Sequence, residues 1–154
     1  YALRQESVPI HASAIKARGN WIPVIWPMDG RQADKGSGKS LTEQYRAEGC
    51  NMTQEHFSNP PAQGQKEGSG GVSVEAGIME MYTRMKTKRL KIFKNQDKLL
   101  QELRMYHRKD GKIVPINDDV ISAMRYCVMS LRKARVKNYE PAYIQADSEF
   151  SIFA

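Results

Sequence analysis

Cysteine and histidine are scarce in this chain of 154 residues, which has two of the first and three of the second. Cys50 and Cys127 lie far apart and match no metal-ligand spacing. Both sit among apolar neighbours, which reads as reduced, buried thiols in a cytosolic protein. His11, His56 and His107 are scattered. His107 could act as a ligand or base near a hairpin, but a surface or core histidine is the plainer reading of each. Long apolar runs are also missing: none approaches the roughly 20 residues that span a bilayer, and there is no signal peptide. No internal repeat is visible. Acidic residues are the minority among charges, 17 against 24 Lys and Arg, for a formal charge of +7. That balance favours a polyanionic partner, nucleic acid first and anionic membrane second; simple solubility is the bland alternative.

The hydrophobic share of 40% is enough for one core, so the chain reads as one domain or most of one. It begins at Tyr1 rather than Met and enters a helix almost at once, as the ordered part of something longer would.

Helical and strand signals alternate, which places the chain in the α/β class. "ESVPIHASAIKARGN" reads as a helix capped by Ser7, with Pro9 in its first turn, Ile10, Ala14, Ile15 and Ala17 near one face, and Gly19 as its stop. "WIPVIW", Trp21 to Trp26, is an unbroken apolar run, as expected of a parallel-sheet strand covered on both sides. Its two tryptophans are assigned to the core. "SLTEQYRAEG" carries a capping box, Ser40 with Glu43, and Gly49 to close it. "CNM" fits a short strand, and Ser58 to Gly71 has the composition of a mobile loop.

Val74, Ile78, Met81, Tyr82 and Met85 recur at helical spacing; the methionines, Met79 included, are read as packing residues. "LKIF", Leu90 to Phe93, reads as a strand. Asn95 is placed to cap a helix with Leu99, Leu100, Leu103 and Tyr106 on its apolar face, and Asp110-Gly111 suits a tight hairpin. The last long helix opens at "NDD", with Val120, Met124, Cys127, Val128 and Leu131 as its stripe. From Tyr139 on there is no period, and 138–154 is taken as an irregular tail after a domain over 1–137.

"ADKGSGKS", Ala33 to Ser40, fits the permissive form of a phosphate-binding loop. Such a loop must leave a strand directly and lead into a helix with its amides around the phosphates. Here "PMDGRQ" intervenes, and Ser40 has a sufficient role as a helix cap. A flexible Gly/Lys loop beside an active site fits better. The carboxylates point to other chemistry. Asp29 follows the apolar run, at the edge where parallel sheets expose catalytic groups. Asp118 and Asp119 open the last helix. If that helix packs beside the strand, oxygen-only ligands would meet over magnesium or manganese, the arrangement used for phosphodiester hydrolysis. The plain alternatives are a turn aspartate before glycine and ordinary helix capping.

Three stretches, "GNWIPVIWPMDGRQADKGSGKSLTEQYRAEG", "GIMEMYTRMKTKRLKIF" and "YHRKDGKIVPINDDVISAMRYCVMS", together resemble the C-terminal nuclease domain of tailed-bacteriophage terminase large subunits. The similarity runs from about Val8 to about Arg135, nearest to the branch of short-tailed, headful-packaging phages. The resemblance implies an RNase H-like fold and Mg2+- or Mn2+-dependent cutting of concatemeric double-stranded DNA. It also implies an ATPase domain upstream in the same polypeptide, a packaging motor with terminase small subunit and portal, and the cytoplasm of the bacterial host.

The family's strand-end acidic ligand maps onto Asp29, and its last-helix ligand onto the Asp118–Asp119 pair, with Asp119 ahead of Asp118. Lys39 and the Gly36/Gly38 loop would flank the site. The family's first catalytic aspartate lies in a three-strand segment before the point where this chain begins. A sheet lacking its first three strands, and weak or no cutting by the chain alone, are therefore the expectation. With the family in view, Arg84, Lys86, Lys88, Arg89, Lys91 and Lys94 line a groove for the DNA backbone; otherwise they are a solvated face. Lys133, Arg135 and Lys137 are a second basic patch or only a helix end. The rival readings are a catalytically dead DNA-binding remnant and a nucleotide triphosphatase using "ADKGSGKS".

Overall fold

The computed structural model describes residues 6–33 and 36–136. The 138–154 tail, Lys137 of the second basic patch, and Asp34 and Lys35 of the Gly/Lys loop lie outside them.

Helix α1, Val8–Lys16, starts with proline in its first turn, but Ser7 makes no side-chain capping bond. Its packing face centres on Ala12, which is fully buried, while Ile10 points outward. The Trp21–Trp26 run does not form a ladder. Pro23 has no amide to donate, and the run makes a single parallel bridge, Val24 with Met52. In it the Val24 amide donates to the Asn51 carbonyl and the Thr53 amide to the Val24 carbonyl, at 2.8 and 3.1 Å. Trp26 is buried, but Trp21 is 39% exposed and leaves the core expected of it.

A 3-10 turn, Met28–Arg31, follows. Helix α2, Leu41–Ala47, has the complete capping box foreseen for it. At its end Gly49 has φ +80°. The Cys50 amide reaches back to the Tyr45 carbonyl and the Gly49 amide to that of Arg46, the paired bonds that close a helix through a left-handed residue. Lys16 Nζ donates to the Glu48 carbonyl at 2.6 Å and ties α1 to this end.

Helix α3, Val74–Lys86, forms as its spacing predicts, though Tyr82 and Met79 face solvent. "LKIF" is not a strand. Leu90 and Ile92 turn in against the core while Lys91 and Phe93 turn out, and the segment finds no pairing partner among the described residues. Helix α4, Asp97–Met105, starts behind Gln96, without the Asn95 cap. Strands β1, Arg108–Lys109, and β2, Lys112–Ile113, form an antiparallel hairpin. Asp110 and Gly111 both have positive φ, 50° and 74°, which a two-residue turn of this hand requires.

Helix α5, Asp119–Met129, packs against α3 and α4. The core is Met81, Leu99, Ile121 and Val128, ringed by Ile78, Met85, Leu90, Ile92, Leu103, Tyr106, Val120 and Met124. The α5 stripe is rotated relative to expectation: Ile121, Arg125, Val128 and Met129 are buried, whereas Cys127 and Leu131 are exposed. The buried face turns because α5 lies between two helices and carries an arginine inward. Phe57 joins the two halves. Its amide donates to the Trp26 carbonyl at 2.7 Å, and its ring packs on Tyr126, 4.3 Å between centroids.

Candidate functional site

Asp29 is exposed on the 3-10 turn, and the turn under it is held at several points. The Gly30 amide donates to the Pro27 carbonyl, and the Thr42 hydroxyl, buried on α2, donates to the Gly30 carbonyl at 2.8 Å. A Cβ at Gly30 would stand 3.0 Å from the Trp26 ring and 3.1 Å from Thr42 Oγ1. The glycine after Asp29 is therefore set by close approach as well as by turn chemistry. Trp26 is itself fixed by its indole N–H, which donates to the Thr53 carbonyl at 2.9 Å. Asp29 lies on the wall of a cavity of about 560 Å³, lined also by Ile15, Val24, Trp26, Leu41 and Tyr45.

The second set of carboxylates opens α5. Asp118 occupies the capping position, yet its side chain accepts no bond from the first-turn amides. That role falls to Glu102 of α4, whose Oε2 accepts from the Val120 and Ile121 amides at 2.9 and 3.0 Å. The ordinary-capping reading of Asp118 thus fails for a tertiary reason. Glu102 is 1% exposed, and its Oε1 has no hydrogen-bond partner among the described residues. Tyr106, at the end of α4, stands near Asp118: burial first, and then the Asp118 carboxylate, push its hydroxyl above the usual phenol range. Glu102 was missed from the sequence. Its signal is a charge set into the α4 stripe, three residues after Leu99 and one before Leu103.

No residue of the 3-10 turn comes within 8 Å, Cα to Cα, of a residue of α5, and no group of three acidic, histidine or cysteine side chains forms a metal cluster among the described residues. Phe57, packed on Tyr126, lies between the apolar run and the helix. The donors at each half, carboxylate oxygens, have the hardness that Mg2+ and Mn2+ prefer; a complete cage of three is not assembled among the described residues.

The described residues flanking the Gly/Lys loop do not lead from a strand directly into a long helix. Ala33 and Ser40 are joined by an antiparallel bridge. Ser40 both accepts from the Glu43 amide and donates to the Glu43 carboxylate, and α2 behind it has seven residues. Lys39 is exposed. Of the basic residues, Lys86, Lys88, Arg89 and Lys91 are exposed around the end of α3, and Arg84 is paired with Glu80 at 2.6 Å. Lys88 holds φ +61°. The Arg89 amide donates to the Arg84 carbonyl and the Lys88 amide to that of Met85, so a lysine closes α3 where glycine closes α2. Arg125 is buried, its guanidinium carbon 5.1 Å from the Phe57 ring centroid and 4.6 Å from that of Tyr126.

This fold is that of an RNase H-like nuclease domain. The sequence matches the family described as terminase RNaseH-like domain over residues 1–131, and the chain belongs to that family. It is 41% identical to the terminase large subunit of Salmonella phage P22 over 135 residues, 86% of this chain and 26% of that protein. It is also 41% identical to the terminase large subunit of Enterobacteria phage LP7 over 128 residues, 82% of this chain and 25% of the relative. The solved structure of the P22 large terminase nuclease domain superposes with a TM-score of 0.70 at 40% identity, over 84% of this chain and 63% of that one. The chain thus spans about a quarter of the length of the curated relatives it matches. No helix among the described residues is long and apolar enough to cross a membrane.

Proposed function

We propose that this chain is the DNA-cutting domain of a phage packaging terminase, a Mg2+- or Mn2+-dependent endodeoxyribonuclease acting on concatemeric double-stranded DNA. The observation that carries this reading is the opening of α5, where Asp118 stands at a helix start whose capping bonds are made by another residue. Asp118 and Asp119 would hold the cation at one half of the site and Asp29 at the other. A bound divalent ion supplies charge neutralisation at phosphate and a more acidic water.

The chain's own residues do the rest. The helix start adds the positive end of the α5 dipole near the scissile phosphate. Lys39, Arg84, Lys86, Lys88, Arg89 and Lys91 neutralise neighbouring phosphates and set the duplex against the site. The full polypeptide would carry an ATPase domain and meet small subunit and portal in the host cytoplasm. Because the described carboxylates form a pair and a separate single, slow cutting is expected of this chain alone.

A plasmid-nicking assay with Mn2+ tests this. Slow nicking that disappears in Asp29→Ala and Asp119→Ala is expected; robust nicking that survives both substitutions contradicts the assignment. A second reading, a DNA-binding module without catalysis, draws on the absence of a three-carboxylate cluster among the described residues. It predicts salt-sensitive DNA binding and no metal-dependent nicking at all.

A further inference from the structure

We infer that Glu102 is a positioning residue for the nuclease site: by capping α5 from outside, it keeps the Asp118 carboxylate available to a divalent cation. The inference rests on the metal reading above. A helix that begins with an aspartate at the capping position ordinarily turns that carboxylate onto its own first-turn amides. In α5 the two amides that Asp118 would satisfy, those of Val120 and Ile121, already donate to one oxygen of Glu102 at 2.9 and 3.0 Å. Asp118 makes no capping bond; its Oδ2 accepts from the Ser122 hydroxyl at a long 3.5 Å.

Glu102 is enclosed where it makes these bonds. It is 1% exposed, sits in the α4 stripe beside Leu99, and its second oxygen has no partner among the described residues. Burying a carboxylate is costly, and the two amide bonds offset part of that cost. Two helices are thereby joined through the residue that fixes where the first turn of α5 sits. A residue that orients ligands in this way typically affects metal affinity tenfold or more.

The test uses the 154-residue chain, with Mn2+ binding followed by the electron paramagnetic resonance of the free ion. Glu102→Ala is expected to weaken Mn2+ binding at least about tenfold, because Asp118 turns onto the vacated amides. Glu102→Gln, which keeps a carbonyl oxygen in place, is expected to restore most of the affinity. Wild-type affinity in Glu102→Ala overturns the inference, and so does an equal loss in both variants, since charge rather than hydrogen bonding would then matter.

A metal-free thermal cycle separates this inference from the metal reading and serves if Mn2+ binding is absent in the wild type, a result that would sink the metal reading itself. Asp118→Ala should barely move Tm in the wild type and in Glu102→Gln, where an oxygen still accepts from the Val120 and Ile121 amides, and lower it clearly in the Glu102→Ala background, where the cap is gone. Strict additivity across that cycle overturns the positioning role.

Discussion

Gly77 and Arg125 meet across the α3–α5 interface without room for a methyl group. A Cβ on Gly77 would stand 2.5 Å from Arg125 Cγ and 2.6 Å from its Cδ. These atoms cannot swing away easily, because the guanidinium beyond them is buried between Phe57 and Tyr126. Gly77→Ala sets two effects against each other. Helix propensity favours alanine by about 1 kcal/mol, while overpacking a close interface costs about 1–3 kcal/mol. The clash is expected to win, lowering the urea midpoint; a more stable Gly77→Ala protein would show that α3 and α5 are less closely packed.

Lys88 closes α3 in the left-handed conformation, a position that suits glycine. Lys88→Gly is expected to stabilise the chain by about 1 kcal/mol, measured by thermal denaturation. If Lys88 touches a phosphate, the same change weakens DNA binding and reduces the salt slope by about 1 in fluorescence anisotropy. Higher stability with unchanged binding and slope would remove Lys88 from the DNA-contacting set.

Glu67 pins the 58–71 segment to the end of α5. Arg132 donates to its carboxylate at 2.6 Å and to the Ser58 carbonyl at 3.2 Å. The Arg132 hydrogen bond is the main cause holding the Glu67 carboxyl below its ordinary value of 4.5. Since the folded value lies below the unfolded one, the contribution is fully present above the ordinary carboxylate range and is lost as pH falls through the depressed folded value. Proteolysis of the segment should therefore stay slow from neutral pH down past 4.5 and accelerate below it. Glu67→Gln should cut quickly at neutral pH; equal rates in wild type and variant would show that the pair does not restrain the segment.

Ser40 and Lys39 separate helix capping from nucleotide binding. Ser40→Ala removes the hydroxyl that accepts from the Glu43 amide and leaves the Glu43 carboxylate on the backbone N–H of residue 40; it is expected to cost about 1 kcal/mol in a denaturant melt. Lys39→Ala should leave ATP affinity as undetectable as in the wild type, by calorimetry. ATP binding abolished by Lys39→Ala would reinstate the triphosphatase reading.

Local rules made several elements legible. The Ser40–Glu43 box, the Asp110-Gly111 turn and the 3.6-residue spacing of α3 each depend on residues within a few positions of one another. Their physics is complete in the segment that carries them. The Trp21–Trp26 and Leu90–Phe93 runs were misread because a strand exists only where a partner supplies its hydrogen bonds. Val24 found a partner in Met52, while the Leu90 amide turned back onto the Arg84 carbonyl at the end of α3 and Leu90 and Ile92 packed their side chains on the core. Arg125 and Glu102 show the same limit from the other side. Both carry charge at core positions, and hydropathy cannot foresee the rings and amides that receive them.

The family, the carboxylates and the basic excess were determined by the amino-acid sequence itself, since composition and motif order survive without coordinates. Tertiary structure alone decided which carboxylate caps α5, which way α5 turns and which helices enclose Glu102 and Arg125. Those outcomes depend on contacts between residues far apart in the chain, and such contacts are settled by how the helices pack.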